Sequence, residues 1–457
     1  MGAATFLSRI SGLVREQVFA FLFGAGDATD AYNVAFRIPN LLRDLFAEGA
    51  MSASLVPTFT RARIEEGEDR AWRLASRVFR VLFVVVGSLS LIGIIFAPSV
   101  VGLYASAFKN TPGKFETTVE MTRVMFPFFP LVALAAAFMG ILNACGYFFL
   151  PAFASALFNV SSIIVGVICA EMVMHGSAPI FEIFGHFQSI QPIEGMAVGV
   201  LAGGAVQALC QIPTLRKAKA AALRQKTAEA ASKPDPVWYR DPGLKRMIWL
   251  MVPGTIGLAA TQVNQLVNTI LATSQGAGAV SYLTYAFRLM QFPIGVFGVS
   301  LAAATLPRVS SQWVQKDVLG VGHTLTRSLR QVIAINLPAS AGLAFLSYPI
   351  IELVFQRGRF RPEDVQKTAI ALIMYSVGLA AYSAVRVLVP ACYAMGNTRL
   401  PVISSFLAVA MTIVLNLLLI GPCGYWGLAL GTSSAAIFNC VFLVIFIQRI
   451  LRSHIPP

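Results

Sequence analysis

Charge is scarce in this chain. Of its 457 residues only 12% are Asp, Glu, Lys or Arg, about half of the ~25% that soluble domains carry, which excludes an ordinary water-soluble globule. Acids are scarcer than bases, 21 against 35. Histidine is nearly missing: His175, His186, His323 and His454 lie apart, in loops, at a helix end or in the tail, so no metal site is expected. The six cysteines (Cys145, Cys169, Cys210, Cys392, Cys423 and Cys440) show no CxxC spacing and read as small core residues. HExxH, GxSxG and a DxD pair are absent, and "GAGD" (24–27) matches an intramembrane aspartyl protease motif only as a loop, without a second aspartate to work with. No enzyme and no cofactor follow from these residues. Strands alternating apolar and polar, the mark of an outer-membrane barrel, are also missing.

What is present is hydrophobic: 56% of the residues, with a mean hydropathy of +0.71. Apolar windows of about 20 residues, enough to cross a hydrocarbon core roughly 30 Å thick, recur with short polar breaks. Runs such as "VLFVVVGSLSLIGIIFA" must satisfy their backbone within the segment, which requires helix. The expectation is an all-α polytopic membrane protein with about twelve transmembrane helices. They centre near 5–23, 32–58, 80–104, 121–145, 150–174, 194–213, 247–273, 281–306, 329–355, 366–395, 401–420 and 426–448. The first helix carries Arg9 and Arg15 inside its apolar stretch, and no small-residue cleavage site follows, so a signal peptide is not expected.

The net charge of +14 invites a nucleic-acid reading until the bases are placed. With the N-terminus inside, 22 of the 35 Lys and Arg fall in inner loops and the C-terminal tail, and 7 in outer loops. That asymmetry puts both termini in the cytoplasm by the positive-inside rule, and it accounts for the basic charge without nucleic acid. The remaining six are Arg9, Arg15, Arg37, Arg43, Arg288 and Arg386, all inside proposed helices.

An internal repeat is also legible. "GAGDATDAYNVAFRIPN" (24–40) is echoed by "GAGAVSYLTYAFRLMQFP" (276–293), Pro57 by Pro307, and Leu150-Pro151 by Leu400-Pro401, at offsets of 251, 250 and 250. "GMAVG" at 195 and "GLALG" at 427 continue the series at 232. Shared composition would align Ala and Leu, whereas here Arg and Pro align as well. Six helices per copy keep both copies in one orientation. Two six-helix lobes are therefore expected, related by a pseudo-twofold axis along the membrane normal, with a cavity between them. The lobes are assigned to 1–215 and 247–457, joined by a basic cytoplasmic linker at 216–246.

Buried charge carries the functional argument. An arginine at the bilayer centre costs about 3 kcal/mol, so several facing lipid would cost on the order of 10 kcal/mol. At 100° per residue Arg37, Asp44 and Glu48 fall within about 40° of one another, one stripe of a helix lining a wet space. Two readings stand. Ion pairs such as Arg9 with Glu16 or Arg43 with Glu48 would hold helices together, with Arg15 and Arg43 snorkelling at helix ends. Alternatively Arg9, Arg15, Arg37, Arg288 and Arg386 converge and bind an anion. Six bases against Glu16, Asp44 and Glu48 leave an excess of positive charge, and the planar guanidinium fork suits diphosphate oxygens. Asp27 and Asp30 lie at the rim of the first hairpin, where a turn acid or helix cap is the default.

"SRISGLVREQVFAFLFGAGDATDAYNVAFRIPNLLRDLFAEGAMSASLVP" closely resembles the opening of the MurJ (MviN) lipid II flippases of the MOP exporter superfamily, and "YAFRLMQFPIGVFGVSLAAATLP" resembles their second lobe. The resemblance covers essentially the whole chain. It implies a bacterial inner-membrane carrier that moves lipid II, the undecaprenyl-diphosphate-linked muropeptide, to the outer leaflet by alternating access. Membrane lipids, and the cell-wall synthesis machinery, are the partners it implies. Family cavity arginines match Arg9, Arg15, Arg37, Arg43 and Arg288, a basic tenth-helix position matches Arg386, and the outer-gate aspartate matches Asp30. Three departures stand out. Phe287 replaces an acid common before the second-lobe arginine. The sequence has twelve helices where members typically have fourteen. The seventh and eleventh helices, acidic in sodium-coupled members, offer only Asn264 and Asn416.

Overall fold

The computed structural model describes residues 2–45, 50–175, 191–224 and 241–454, and among these it is helical with no strand. The described helices group, in chain order, into twelve runs. The first is α1 (Gly2–Phe23) and the second is α2 (Asp27–Arg43) followed by α3 (Ala50–Glu65). The third joins α4 (Glu68–Ile95) to α5 (Ala97–Tyr104), and the fourth joins α6 (Lys114–Met125) to α7 (Phe128–Ala144). Then come α8 (Phe149–Met174), and α9 (Glu194–Leu209) with α10 (Ile212–Arg224). The seventh and eighth are α11 (Pro242–Thr273), and α12 (Ala279–Pro293) with α13 (Val299–Val314). The last four are α14 (Val318–Phe345) with α15 (Ser347–Phe355), α16 (Pro362–Ser376) with α17 (Leu379–Ala394), α18 (Arg399–Cys423), and α19 (Tyr425–His454).

Seven of these runs are long and apolar enough to cross a bilayer unaided. Two bent pairs, α14/α15 at 72° and α16/α17 at 45°, bring the number to nine. The remaining three passes, α1, α2/α3 and α11, carry the arginines, acids and amides that lower their hydropathy. On the strongly apolar spans the outward residues are large hydrophobics, for example Phe83, Val84 and Leu91 on α4 and Leu417 and Leu418 on α18. That inversion of the soluble pattern is what a hydrocarbon solvent selects.

By contacts the chain divides into two compact units. One comprises Met1–Phe19 with Ala31–Gln262, the other Ala20–Asp30 with Val263–Pro457. The division passes through two helices, leaving the last turn of α1 in the second unit and about the first two thirds of α11 in the first. Inside the first unit, Phe59, Trp72, Leu74, Phe129 and Ile141 anchor the core, and Leu244 and Met247 from α11 pack into it. Inside the second, Val309, Leu325, Leu388 and Leu443 do the same.

Each unit shows the same sequence of breaks. The α4/α5 break is at Phe96 and the α14/α15 break at Leu346, 250 positions later. The left-handed glycine after α7 is Gly146, and the one after α17 is Gly396, again 250 later. The repeat read from residue patterns is thus repeated in backbone geometry.

Within the first unit, α8 and α9 approach most closely. Gly195, Gly199 and Gly203 recur every fourth residue on one face of α9. A Cβ on Gly199 would stand 2.4 Å from the Ser162 carbonyl oxygen, and one on Gly195 would stand 2.4 Å from the Ala170 nitrogen. Only glycine permits that approach, the small-residue packing usual where no hydrophobic drive operates between helices in lipid.

Candidate substrate-binding residues

In the first unit the arginines divide by environment. Arg9 is exposed on α1. Arg15, two turns further on, is only 6% exposed. Its guanidinium donates to Glu16 at 3.1 Å and lies over the rings of Phe36 (5.4 Å) and Phe158 (5.8 Å). Aromatic faces and a carboxylate together replace the water this charge loses. Nearby, Asn159 on α8 donates to the Ser8 carbonyl and the Ser11 hydroxyl at 3.2 Å each, fixing α1 against α8. The ion pair of Arg15 and Glu16 joins two neighbours in sequence.

Arg37 is half-buried on α2, where its charge acts on the Tyr104 hydroxyl of α5. Arg43 grips Asp44 through Nε (3.1 Å) and Nη2 (2.9 Å), and the other Asp44 oxygen accepts from Gln262 of α11 at 3.3 Å. Regular α geometry ends at Arg43, so the 100° spacing that put Arg37 and Asp44 on one stripe stops one residue short of Asp44. Glu48 lies outside the described residues.

In the second unit Arg288 on α12 and Arg386 on α17 are both exposed. Phe287, in place of the acid expected before Arg288, packs on Tyr375 with ring centroids 5.3 Å apart. An aromatic contact occupies the position of an ion pair.

Asp30 is fully buried. It accepts from the amides of Gly278 (2.7 Å) and Ser281 (2.9 Å) and from the Ser281 hydroxyl (2.7 Å). It is a helix cap, but for α12 and not for the helix it sits on, satisfying two of the donors a helix start leaves open. The same hairpin is held at a second point, where the Arg359 amide donates to the Phe21 carbonyl at 2.9 Å. Gly24 (φ 69°) and Gly358 (φ 61°) make that approach possible.

Asn416 on α18 donates to Asn268 of α11, which donates in turn to Thr432 of α19 at 3.4 Å. The amides expected at the seventh and eleventh passes thus include a partner, Asn268, that the residue pattern did not single out.

Three acids escaped the reading from sequence. Asp241, just before α11, is fully buried and takes hydrogen bonds from Arg70 (2.8 and 2.9 Å) and Arg77 (2.5 Å) of α4. Burial alone would raise its carboxyl, but these hydrogen bonds hold it below the usual carboxylate range. Glu194, the first residue of α9, is fully buried, and Glu120 in the middle of α6 is half-buried. The available signal was an acid placed directly before the glycine-spaced face of α9.

Twelve helical runs in two units of matched breaks make up the fold, which solved transporters of the MOP superfamily share. A solved inward-facing multidrug-resistance MATE transporter of that superfamily shares the fold, with a TM-score of 0.79 over 98% of this chain and 95% of that one, at 14% identity. A solved lipid II flippase MurJ in an inward closed conformation matches with a TM-score of 0.79 at 25% identity, covering 98% of this chain and 87% of that one. The family profile described as lipid II flippase MurJ matches residues 19–456. The chain is 34% identical over 451 residues to a probable lipid II flippase MurJ of Vibrio cholerae, covering 97% of this chain and 81% of that protein. It is 34% identical over 445 residues to a lipid II flippase MurJ of Burkholderia cenocepacia, covering 97% and 82%. The chain belongs to the lipid II flippase MurJ family. That family consists of flippases and not of enzymes, in keeping with the missing catalytic motifs.

Proposed function

We propose that this chain moves lipid II from the inner to the outer leaflet of a bacterial cytoplasmic membrane by alternating access, with both termini in the cytoplasm. The observation that carries the reading is the set of exposed or half-buried arginines inside membrane passes of a MurJ-family chain. Arg9 and Arg37 in the first unit, and Arg288 and Arg386 in the second, are assigned to the diphosphate and its attached head group. Guanidinium forks replace the water that the diphosphate loses, and no covalent step is needed. Leaving such polar groups unpaired in hydrocarbon would cost several kcal/mol each, so unaided crossing is too slow to be useful. Arg15 and Arg43, paired with Glu16 and Asp44, are assigned to keeping the positive charge in place, and Asp30 to holding the gate hairpin.

The test is growth. Expressed in a bacterium depleted of its own lipid II flippase, the chain is expected to restore growth. Failure to do so, with the protein folded and inserted at normal levels, would overturn the assignment in favour of another lipid-linked oligosaccharide or an anionic small molecule.

A further inference from the structure

The turn between α15 and α16, in the second unit, reads Gln356-Arg357-Gly358-Arg359-Phe360-Arg361. Its depth follows from the helices that lead to it. On α14 the last base is Arg330, and from there to the helix end at Phe345 is about 22 Å at 1.5 Å per residue. α15 is bent away by 72°, so its length adds only about 4 Å along the same axis. The turn therefore emerges roughly 27 Å from Arg330, close to the ~30 Å thickness of a hydrocarbon core and so at head-group depth. Phe345, Leu346 and Leu353 stand exposed along the approach, as a face against acyl chains requires.

The turn is held rigidly from within. The Arg359 amide donates to the Phe21 carbonyl at 2.9 Å, and a Cβ on Gly358 would stand 2.2 Å from that same oxygen. Phe360 is buried, with its ring centroid 5.8 Å from that of Tyr285 and 5.9 Å from that of Phe355. Asp364 accepts the Arg361 amide and the Tyr282 hydroxyl at 2.9 Å each. With the backbone and Phe360 so fixed, Arg357, Arg359 and Arg361 are all exposed. Fully extended, the step from the first to the last would span at most about 14 Å. The Phe360 amide donating to the Arg357 carbonyl at 3.3 Å folds it shorter.

Arginines on α4 have carboxylates to hold: Arg70, Arg73 and Arg77 pair with Glu66, Asp69 and Asp241. Glu352 and Glu363 flank the turn, yet among the described residues no carboxylate forms an ion pair with its three arginines. The internal repeat shows that the scaffold does not require them. Their counterparts 250 positions earlier are Ala107, Lys109 and Thr111, and the Lys109 ammonium lies over the Phe115 ring at 5.1 Å.

We propose that this turn binds the phosphate of an anionic phospholipid in the adjoining leaflet, the outer one on the orientation proposed above. Guanidinium forks take phosphate oxygens in pairs, and a turn already fixed loses little freedom on binding. The acyl chains run along the exposed face of α15.

The test is native mass spectrometry of the full chain in detergent, with phosphatidylglycerol or phosphatidylcholine added and no lipid II, so that its failure leaves the flippase assignment standing. The unaltered chain is expected to retain phosphatidylglycerol in preference to phosphatidylcholine. The triple variant Arg357→Gln, Arg359→Gln, Arg361→Gln is expected to retain one phosphatidylglycerol fewer, or to hold it about tenfold or more weakly. Lys109→Gln, which removes one exposed charge from the matching turn of the first unit, is expected to bind as the unaltered chain does. The three arginines are exposed, so the triple variant is expected to keep its melting temperature. Equal retention by the triple variant and the unaltered chain would overturn the proposal. So would displacement of the lipid by an equal concentration of glycerol phosphate, which would mark a site for a soluble anion instead.

Discussion

Asp30 accepts the amide of Ser281 at 2.9 Å and its hydroxyl at 2.7 Å, a link across 251 residues that caps α12 from the first hairpin. Because a buried carboxylate satisfies three donors there, counting Gly278, its removal strands all three. Asp30→Ala is expected to lower the stability of the second unit by about 2 to 4 kcal/mol, read as a drop in melting temperature in detergent. Asp30→Asn keeps one acceptor oxygen and is expected to fall between the two.

Asp241 is expected to behave as an acid-sensitive clasp. Its carboxyl is held low in the folded protein, so its stabilisation is fully present above the unfolded value of about 3.9 and is lost as pH falls through the folded value. Asp241→Asn leaves Arg70 and Arg77 without their shared carboxylate and is expected to cost roughly 3 to 5 kcal/mol at neutral pH. Denaturant melts at neutral and acid pH check both statements: the gap between the two proteins should narrow as the solution becomes more acid.

Gly199 tests the α8/α9 joint. Gly199→Ala places a methyl group 2.4 Å from the Ser162 carbonyl, and overpacking of this kind costs about 1 to 3 kcal/mol. Gly87→Ala on α4 meets nothing within 4 Å and serves as the control. A melting temperature lowered in the first and kept in the second is the expected pair of results.

The arginines should separate into two kinds. Arg15→Ala removes a buried charge from Glu16 and from two rings, and is expected to destabilise the first unit by several kcal/mol. Arg9→Ala, Arg288→Ala and Arg386→Ala act on exposed side chains and are expected to shift stability by less than about 0.5 kcal/mol while impairing growth rescue. Melting curves and rescue assays on the same four variants check the division.

The fold was legible in the residues because hydrocarbon imposes a coarse rule, and twenty-residue apolar windows obey it. The repeat was legible because Arg, Pro and Gly positions mark its kinks and turns. Partners were harder to read. That Arg15 is covered by Phe36 and Phe158 depends on rings brought by other helices, and that Asp30 caps α12 depends on a contact about 250 residues away. Neither is a local property. Glu194 stood at the edge of an apolar window, where an acid looks like a solvated boundary residue. Its burial follows from glycines that draw α9 onto α8, and Asp241 was hidden similarly within a polar linker.

The most direct measurement is flipping itself. Vesicles containing the purified chain and labelled lipid II should show protein-dependent movement of the label between leaflets, and Arg37→Ala and Arg288→Ala, still folded, should abolish most of it. Movement no faster than in protein-free vesicles, or full movement by both variants, would contradict the account.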